Sequence, residues 1–380
     1  MSTMHALQIG MEWLPAAPGS GVGRMVHGLI RHLPDAGVEV SGLVTGTDDL
    51  QDAPSDVEAF AAASAALPRR IWSLRQHVKK RLAAVDVDLL APHFPLYTAP
   101  LPEAPDGCPI VVHFHGPWSG EAKIEGEPAW KVRVKRWIEE RAYRRGTRFI
   151  VLSTAFRDKL AEGYDVARDR IDVVPGGVQM DRFAPDRSVY EARERLGWPA
   201  DRPVLLTIRR LVKRTGVHRL IDAMVHLRQM VPDVQLYIGG TGPQRDHLMD
   251  RVEARDLSRC VEFLGFVPED LLPITYRAAN LSVVPTIAHE GFGLVAIESL
   301  ASGTPPVVTR VGGLPEVVGD LSEGLIVSEA EPELLADRLR SALLGRIHIP
   351  DALECRTYAF NRYSWPVIAR KVHDVYQKAT

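Results

Sequence analysis

With 380 residues the chain is long for a single hydrophobic core, and two domains are the expectation. Hydrophobic residues at 46%, charged residues at 25% and aromatics at 7% are ordinary values for a soluble protein. A net charge of -2 excludes a global pull toward nucleic acid or membrane, so any such partner has to be met by a local patch.

Cys108, Cys260 and Cys355 are scattered, odd in number and without metal-ligand spacing, which fits a reduced, cytoplasmic protein. Met1 to Gly10 lacks the charged and apolar regions of a signal peptide, and nowhere do eighteen apolar residues come together. The expectation is a chain neither secreted by a leader nor spanning a membrane.

In chain order, Ala6 to Gly10, Val38 to Val44, Val87 to Ala91, Pro109 to His115 and Arg148 to Leu152 read as strands. Val22 to Leu33, Val57 to Val85 and Trp130 to Arg145 read as helices. Strand and helix in alternation predict a parallel sheet covered on both faces. The turn-rich stretch from Pro175 to Pro185 reads as a linker. A second alternating series then places strands at Val204 to Ile208, Val234 to Gly239, Val261 to Gly265, Leu281 to Pro285, Pro306 to Arg310 and Gly324 to Val327. Two doubly wound domains that face each other would hold a ligand in the crevice at the carboxyl ends of their strands.

Several loops carry candidate chemistry. After the first strand, P-G-S-G-V-G-R (Pro18 to Arg24) offers Gly21 and Gly23 for close backbone approach, but not the spacing of a dinucleotide fingerprint. The fourth strand ends I-V-V-H-F-H-G-P-W, with His113 and His115 near its carboxyl end. Both histidines also read as structural. L-T-I-R-R-L-V-K-R-T-G is a basic loop after the first strand of the second series. I-G-G-T-G-P, with Gly240, and L-G-F-V-P, with Phe266 and Val267, read as strand-end turns.

The most informative stretch is Pro285 to Glu298, P-T-I-A-H-E-G-F-G-L-V-A-I-E. A strand runs into a loop, and Gly291 and Gly293 open an apolar helix from Leu294. Unpaired amides, glycine and the helix dipole together make an anion site fit for a phosphate or diphosphate. Glu298, two turns in, either points to solvent or is buried accepting hydrogen bonds, for which ribose hydroxyls are suitable donors.

Glu290, seven residues and Glu298, with E-G-F-G-L inside, resemble the signature of the retaining glycosyltransferases of family 4, a GT-B superfamily that includes glycogen-synthase-like and mannosyltransferase-like enzymes. The resemblance implies α/β architecture, two Rossmann-like domains facing across a cleft. Residues 1–182 would form the acceptor side, completed by a C-terminal helix over 365–380, and residues 183–364 would bind the donor.

It also implies site roles. Glu298 would hold the ribose; Glu290 and the backbone of Gly291, Phe292, Gly293 and Leu294 would hold sugar hydroxyls and diphosphate. Gly21 and Gly240 would approach the donor, and the backbone of Phe266 and Val267 would lie beside the base. Of the two histidines it selects His115, beside the reacting carbon. The basic loop resembles the family's G-R-L-x-x-x-K-G run, which puts Arg210 at the arginine. Thr215 stands where the family has lysine and Arg209 where it has glycine, so Arg209, Lys213 or Arg214 would supply the missing charge to the leaving diphosphate. Glu316, in R-V-G-G-L-P-E-V-V, reads as a helix cap and stays outside the site.

The implied activity is retaining transfer of a sugar from a UDP- or GDP-linked donor to a saccharide or lipid-linked acceptor, without metal or other cofactor, in polysaccharide or glycolipid biosynthesis. The rivals are an epimerase or phosphorylase on the same fold, or a protein that binds nucleotide sugar without turning it over. A nicotinamide-dependent dehydrogenase is disfavoured by the missing fingerprint. Asp86-Val87-Asp88 has the form of a metal-binding D-x-D but reads as the start of a buried strand. Arg69 to Leu82 interleaves cations with Ile71, Trp72, Leu74, Val78 and Leu82, and reads either as a peripheral membrane contact at the inner face or as an ordinary surface helix. Lys131 to Arg148 is basic too, but interrupted by Glu139 and Glu140, and adds little to a membrane contact.

Overall fold

The computed structural model describes residues 3–13, 21–46, 50, 52–103, 107–183 and 187–380. The chain divides into two compact units. The first takes the chain up to Lys123, Glu127–Gly177 and Trp365–Thr380; the second takes Ile124–Gly126 and Val178–Ser364.

The first unit has seven strands: β1 Met4–Glu12, β2 Val38–Thr45, β3 Val57–Ala61, β4 Leu89–Pro92, β5 Val111–Phe114, β6 Arg148–Val151 and β7 Ile171–Val173. They pair in parallel as β3-β2-β1-β4 and β5-β6-β7, and a parallel bridge between Leu90 and Ile110 joins the two sets. The second unit has β8 Val204–Ile208, β9 Gln235–Gly239, β10 Val261–Gly265, β11 Leu281–Val284, β12 Pro306–Thr309 and β13 Ile326–Val327, in the order β10-β9-β8-β11-β12-β13. Both units are doubly wound. Each reverses strand order beside its first strand, at β1/β4 and at β8/β11, where such sheets open to ligands.

The strands covered on both faces are apolar runs: β4, β5, β11, β12 and β13 are buried at every position. The helix expected over Val57 to Val85 is a correction. Val57–Ala61 is strand β3, paired with β2 through Gly42 and Val57, and the helix covers only Leu67–Ala84. The alanine-rich text favours helix by propensity, but burial of Val57 and Phe60 against the sheet edge overrides it.

Helix Trp365–Ala379 belongs to the first unit. Trp365 stacks on His32 with ring centroids 5.6 Å apart. A Cβ placed on Gly28 would lie 1.8 Å from the Trp365 ring, so this side chain docks directly on the backbone of helix Gly21–His32. Gly28→Ala is expected to overpack this contact and destabilise the fold by about 1–3 kcal/mol in urea unfolding; an unchanged midpoint would contradict this docking.

Candidate functional site

In the second unit the site grows from the ends of β8 and β11. Arg209 follows β8 and Thr286 follows β11, so the switch point brings the two side chains together. Arg209 Nη1 donates to Thr286 Oγ1 at 2.7 Å, its Nη2 donates to Glu290 Oε2, and the Thr286 hydroxyl donates to the same carboxylate oxygen at 3.1 Å. Thr286 is itself fixed, because Thr309 Oγ1 donates to its carbonyl at 2.6 Å. Glu290 is thus held by a buried guanidinium and a buried hydroxyl.

The backbone around Glu290 is equally constrained. Gly313 N donates to the Glu290 carbonyl at 3.1 Å, and a Cβ on Gly312, at φ +58°, would lie 1.8 Å from that same oxygen. The two glycines of R-V-G-G-L-P therefore lodge the loop that carries Glu290. Glu316 is exposed in the first turn of helix Leu314–Val318.

Gly293, at φ +95°, precedes helix Leu294–Ala301, and no side chain caps it, so the first amides are open to an anion. Gly291 is half-buried. The Phe292 side chain is buried edge-on against Tyr363 at 5.5 Å, so only its backbone is available to a ligand. Glu298 is 6% exposed and accepts from the Tyr276 hydroxyl at 3.3 Å, which overturns the solvent-facing alternative. Gly240 N donates to Gly265 O at 2.6 Å; Phe266 is exposed and Val267 half-buried beside it.

The basic loop separates its cations by place. Thr215 is buried, its hydroxyl directed to the carbonyls of Arg210 at 3.0 Å and Val212 at 2.8 Å, where it closes the turn Lys213–Thr215. Arg210 and Lys213 are exposed; Arg214 is half-buried and donates to the His289 carbonyl at 3.1 Å. The arginine that holds Glu290 is therefore Arg209 and not its neighbour Arg210.

In the first unit, Gly21 is the exposed first residue of helix Gly21–His32, while Pro18, Gly19 and Ser20 lie outside the described residues. His93 follows β4 and His115 follows β5, again next to the switch point. The His93 ring stacks between His113, at 4.1 Å, and His115, at 5.3 Å. Gln8 Nε2 donates to the Tyr376 hydroxyl at 2.9 Å, leaving Gln8 Oε1 to accept from His93 Nε2 at 2.8 Å. His93 Nδ1 is then an acceptor and takes the hydrogen bond from His115 Nε2 at 3.0 Å. The Tyr376 hydroxyl also hydrogen-bonds His113 Nε2 at 2.9 Å. In this arrangement His115 offers its other nitrogen, Nδ1, as an acceptor.

Burial, with the neighbouring imidazoles adding to it, holds His93 and His113 well below the usual histidine range, and burial brings His115 down to about 4. All three are neutral at pH 7. Gln8, His93, Tyr376 and Thr286 escape the sequence reading. Gln8 alone carried a signal, as the amide inside an apolar strand that must find a partner when buried.

Among the described residues no group of three or more His, Cys, Asp or Glu could hold a metal ion. Asp86 and Asp88 instead pin β1: Asp88 Oδ2 accepts from His5 N at 2.7 Å, and the Asp86 carbonyl meets His5 Nδ1 at 3.0 Å.

Two predictions follow from these geometries. Arg209→Ala strips the cation from a nearly buried carboxylate and is expected to cost about 3–5 kcal/mol in urea unfolding, part of it regained on adding Glu290→Gln; additivity of the two changes would refute the coupling. The lowered histidine pKa values carry a sign as well. Between pH 6.5 and about 4 the unfolded chain binds protons that the folded chain refuses, so stability contributed by these histidines is complete above 6.5 and declines as pH falls. The urea midpoint is expected to be lower at pH 5 than at pH 7.5, and equal midpoints would mean the stack is not neutral.

Comparison with known proteins places these features in a family. Residues 19–182 match the model described as Glycosyltransferase Family 4, and residues 189–362 match Glycosyl transferases group 1. The chain is 36% identical over 233 residues to a D-inositol 3-phosphate glycosyltransferase of Corynebacterium jeikeium, covering 58% of this chain and 54% of the relative. It is 34% identical over 210 residues to a GDP-mannose-dependent alpha-(1-6)-phosphatidylinositol monomannoside mannosyltransferase of Mycolicibacterium smegmatis, covering 51% and 53%. The chain thus spans about half the length of the curated relatives it matches. Among solved structures, sucrose-phosphate synthase of Thermosynechococcus elongatus superposes with a TM-score of 0.79 at 22% identity, over 99% of this chain and 98% of that one.

Proposed function

We propose, for a chain that belongs to the family 4 glycosyltransferases and has their GT-B fold, that it moves a sugar from a nucleotide diphosphosugar to a saccharide or lipid-linked acceptor, with retention of anomeric configuration and without a metal ion. The observation that carries this reading is the Glu290 carboxylate, clamped by Arg209 and Thr286 just before an uncapped helix N-terminus. That pairing sets polar groups for a sugar beside amides for a diphosphate.

In this reading Glu290 accepts hydrogen bonds from the sugar hydroxyls, the amides from Gly291 to Leu294 bind the diphosphate, and Glu298 accepts from the ribose. Arg209 orients Glu290, and the charge that Thr215 lacks comes from Arg214 and Arg210, with Lys213 beside them. Glu290 is a poor nucleophile while paired to a guanidinium, which favours departure of the diphosphate and attack of the acceptor hydroxyl on the same face over a covalent intermediate. The hydroxyl proton then passes to the departing phosphate oxygen. His115, neutral, serves as an acceptor for a sugar hydroxyl.

The names of the relatives support a nucleotide-sugar donor and a polyol or lipid-linked acceptor, the second being named for GDP-mannose and a phosphatidylinositol mannoside. A second reading, donor binding without turnover, is favoured by Thr215 alone.

The test is thermal unfolding across UDP-, GDP- and ADP-sugars, followed by turnover. A cognate donor at about a hundred times its dissociation constant is expected to stabilise the fold by roughly 2.7 kcal/mol. Glu290→Gln is expected to lose about tenfold to a hundredfold in turnover, and Arg214→Ala more than Lys213→Ala. Full activity in Glu290→Gln would overturn the site, and a donor-dependent shift with no turnover on any acceptor would favour binding alone.

A further inference from the structure

Helix Leu67–Ala84 spends its apolar side on the core. Leu74 and Val78 are fully buried and Leu82 packs on the same cluster, so the stripe that reads in sequence as a membrane-lying face is already covered. At its surface this helix carries Trp72, 64% exposed, and the exposed Lys79, with the half-buried Arg75 between them at one-turn spacing.

The neighbouring basic helix, Ala129–Tyr143, does the opposite. Trp130, Val134 and Trp137, at spacings of four and three, are 63%, 49% and 62% exposed, and Arg141 and Arg144 continue the same line. The two lines meet at a cavity of about 690 Å³, lined by Arg75, Lys79, Arg141, Arg144 and Arg145, with Glu103 as its acidic member. Arg75 donates to the Pro100 carbonyl at 2.6 Å, and Arg145 to those of Leu101 and Pro102, so these two brace the loop at the cavity. Among the described residues Lys79, Arg141 and Arg144 pair with no carboxylate, and burial, with Arg141 adding to it, holds Arg145 below its usual pKa.

Three indoles and a valine in water, beside a gathered set of cations, complement an anionic bilayer. Indole rings settle at the headgroup level of a bilayer, and cations bind anionic lipid. Trp130, Val134 and Trp137 form an apolar ridge at one-turn spacing, flanked by cations: Lys131 Nζ lies 5.6 Å from the centre of the Trp130 ring and Arg141 and Arg144 follow at the helix end.

We propose that this face of the first unit docks on an anionic bilayer, with Trp72, Trp130 and Trp137 at headgroup depth and a lipid phosphate seated among Arg75, Lys79, Arg141 and Arg144. None of these residues belongs to the site described above, so the docking stands apart from the reaction assigned to it. Among the described residues no helix is long and apolar enough to cross a membrane, and attachment at this face would be peripheral.

The experiment is flotation of the full chain with phosphatidylcholine vesicles, with and without phosphatidylglycerol, in the absence of any nucleotide sugar. Binding is expected to need phosphatidylglycerol, to weaken with added salt, and to shift tryptophan emission to the blue. Arg141→Glu/Arg144→Glu is expected to lower partitioning by about tenfold or more, at roughly fivefold per cation lost. Trp130→Ser/Trp137→Ser is expected to lower partitioning and to leave only the smaller blue shift of Trp72, and Lys79→Glu serves if the arginine pair fails to fold. Both double variants should keep the melting shift given by a donor sugar, which separates failure here from failure of the reaction assignment. Absence of binding to phosphatidylglycerol vesicles by folded protein would overturn the proposal. So would binding that survives both double variants, or competition by a single-stranded oligonucleotide at this face.

Discussion

The candidate site depends on one buried ion pair. Glu290 sits on a loop between β11 and helix Leu294–Ala301, and without a cation its carboxylate could not stay out of water. Arg209 supplies that cation from the end of β8, and the parallel pairing of β8 with β11 puts the two ends side by side. Thr286 completes the clamp, Thr309 fixes Thr286 from the next strand, and Gly312 and Gly313 leave room for the Glu290 carbonyl. A carboxylate tied to three strand ends has one orientation before any ligand arrives, and preorganisation of this kind is what a positioning group for a sugar hydroxyl requires.

The same rule governs the first unit with neutral groups. Gln8, His93, His113 and Tyr376 have little or no access to water and His115 is half-buried, and each finds its partner among the others. The chain of donors and acceptors fixes which nitrogen of His115 carries the proton. Tyr376 belongs to helix Trp365–Ala379, so the packing of that helix on the sheet sets the chemistry presented by a histidine at the end of β5.

Surface and core compete for the same helical residues. Two basic helices with similar composition end differently because one lies with its leucine and valine on the sheet and the other turns its tryptophans outward. Hydrophobic content along a helix records how much apolar surface there is. Which part of it is buried is set by the neighbours that surround the helix.

By itself the sequence determined the alternation of strand and helix, since runs buried on both faces must be apolar and helices must carry a stripe. It determined the two-domain organisation suggested by length and turn-rich text, and the glycine-opened helix after Glu290. Three things were decided only in the folded state. Val57–Ala61 became a strand because β2 offered it an edge. Of the adjacent Arg209 and Arg210, side chains near a strand end point to opposite faces, and the sheet order put the inward one against Glu290. Gln8 and Tyr376, 368 residues apart, meet only when the last helix returns to the first strand. Local text sets periods and propensities, whereas a buried polar group is satisfied by whichever residue the topology delivers, and the topology is a property of the whole chain.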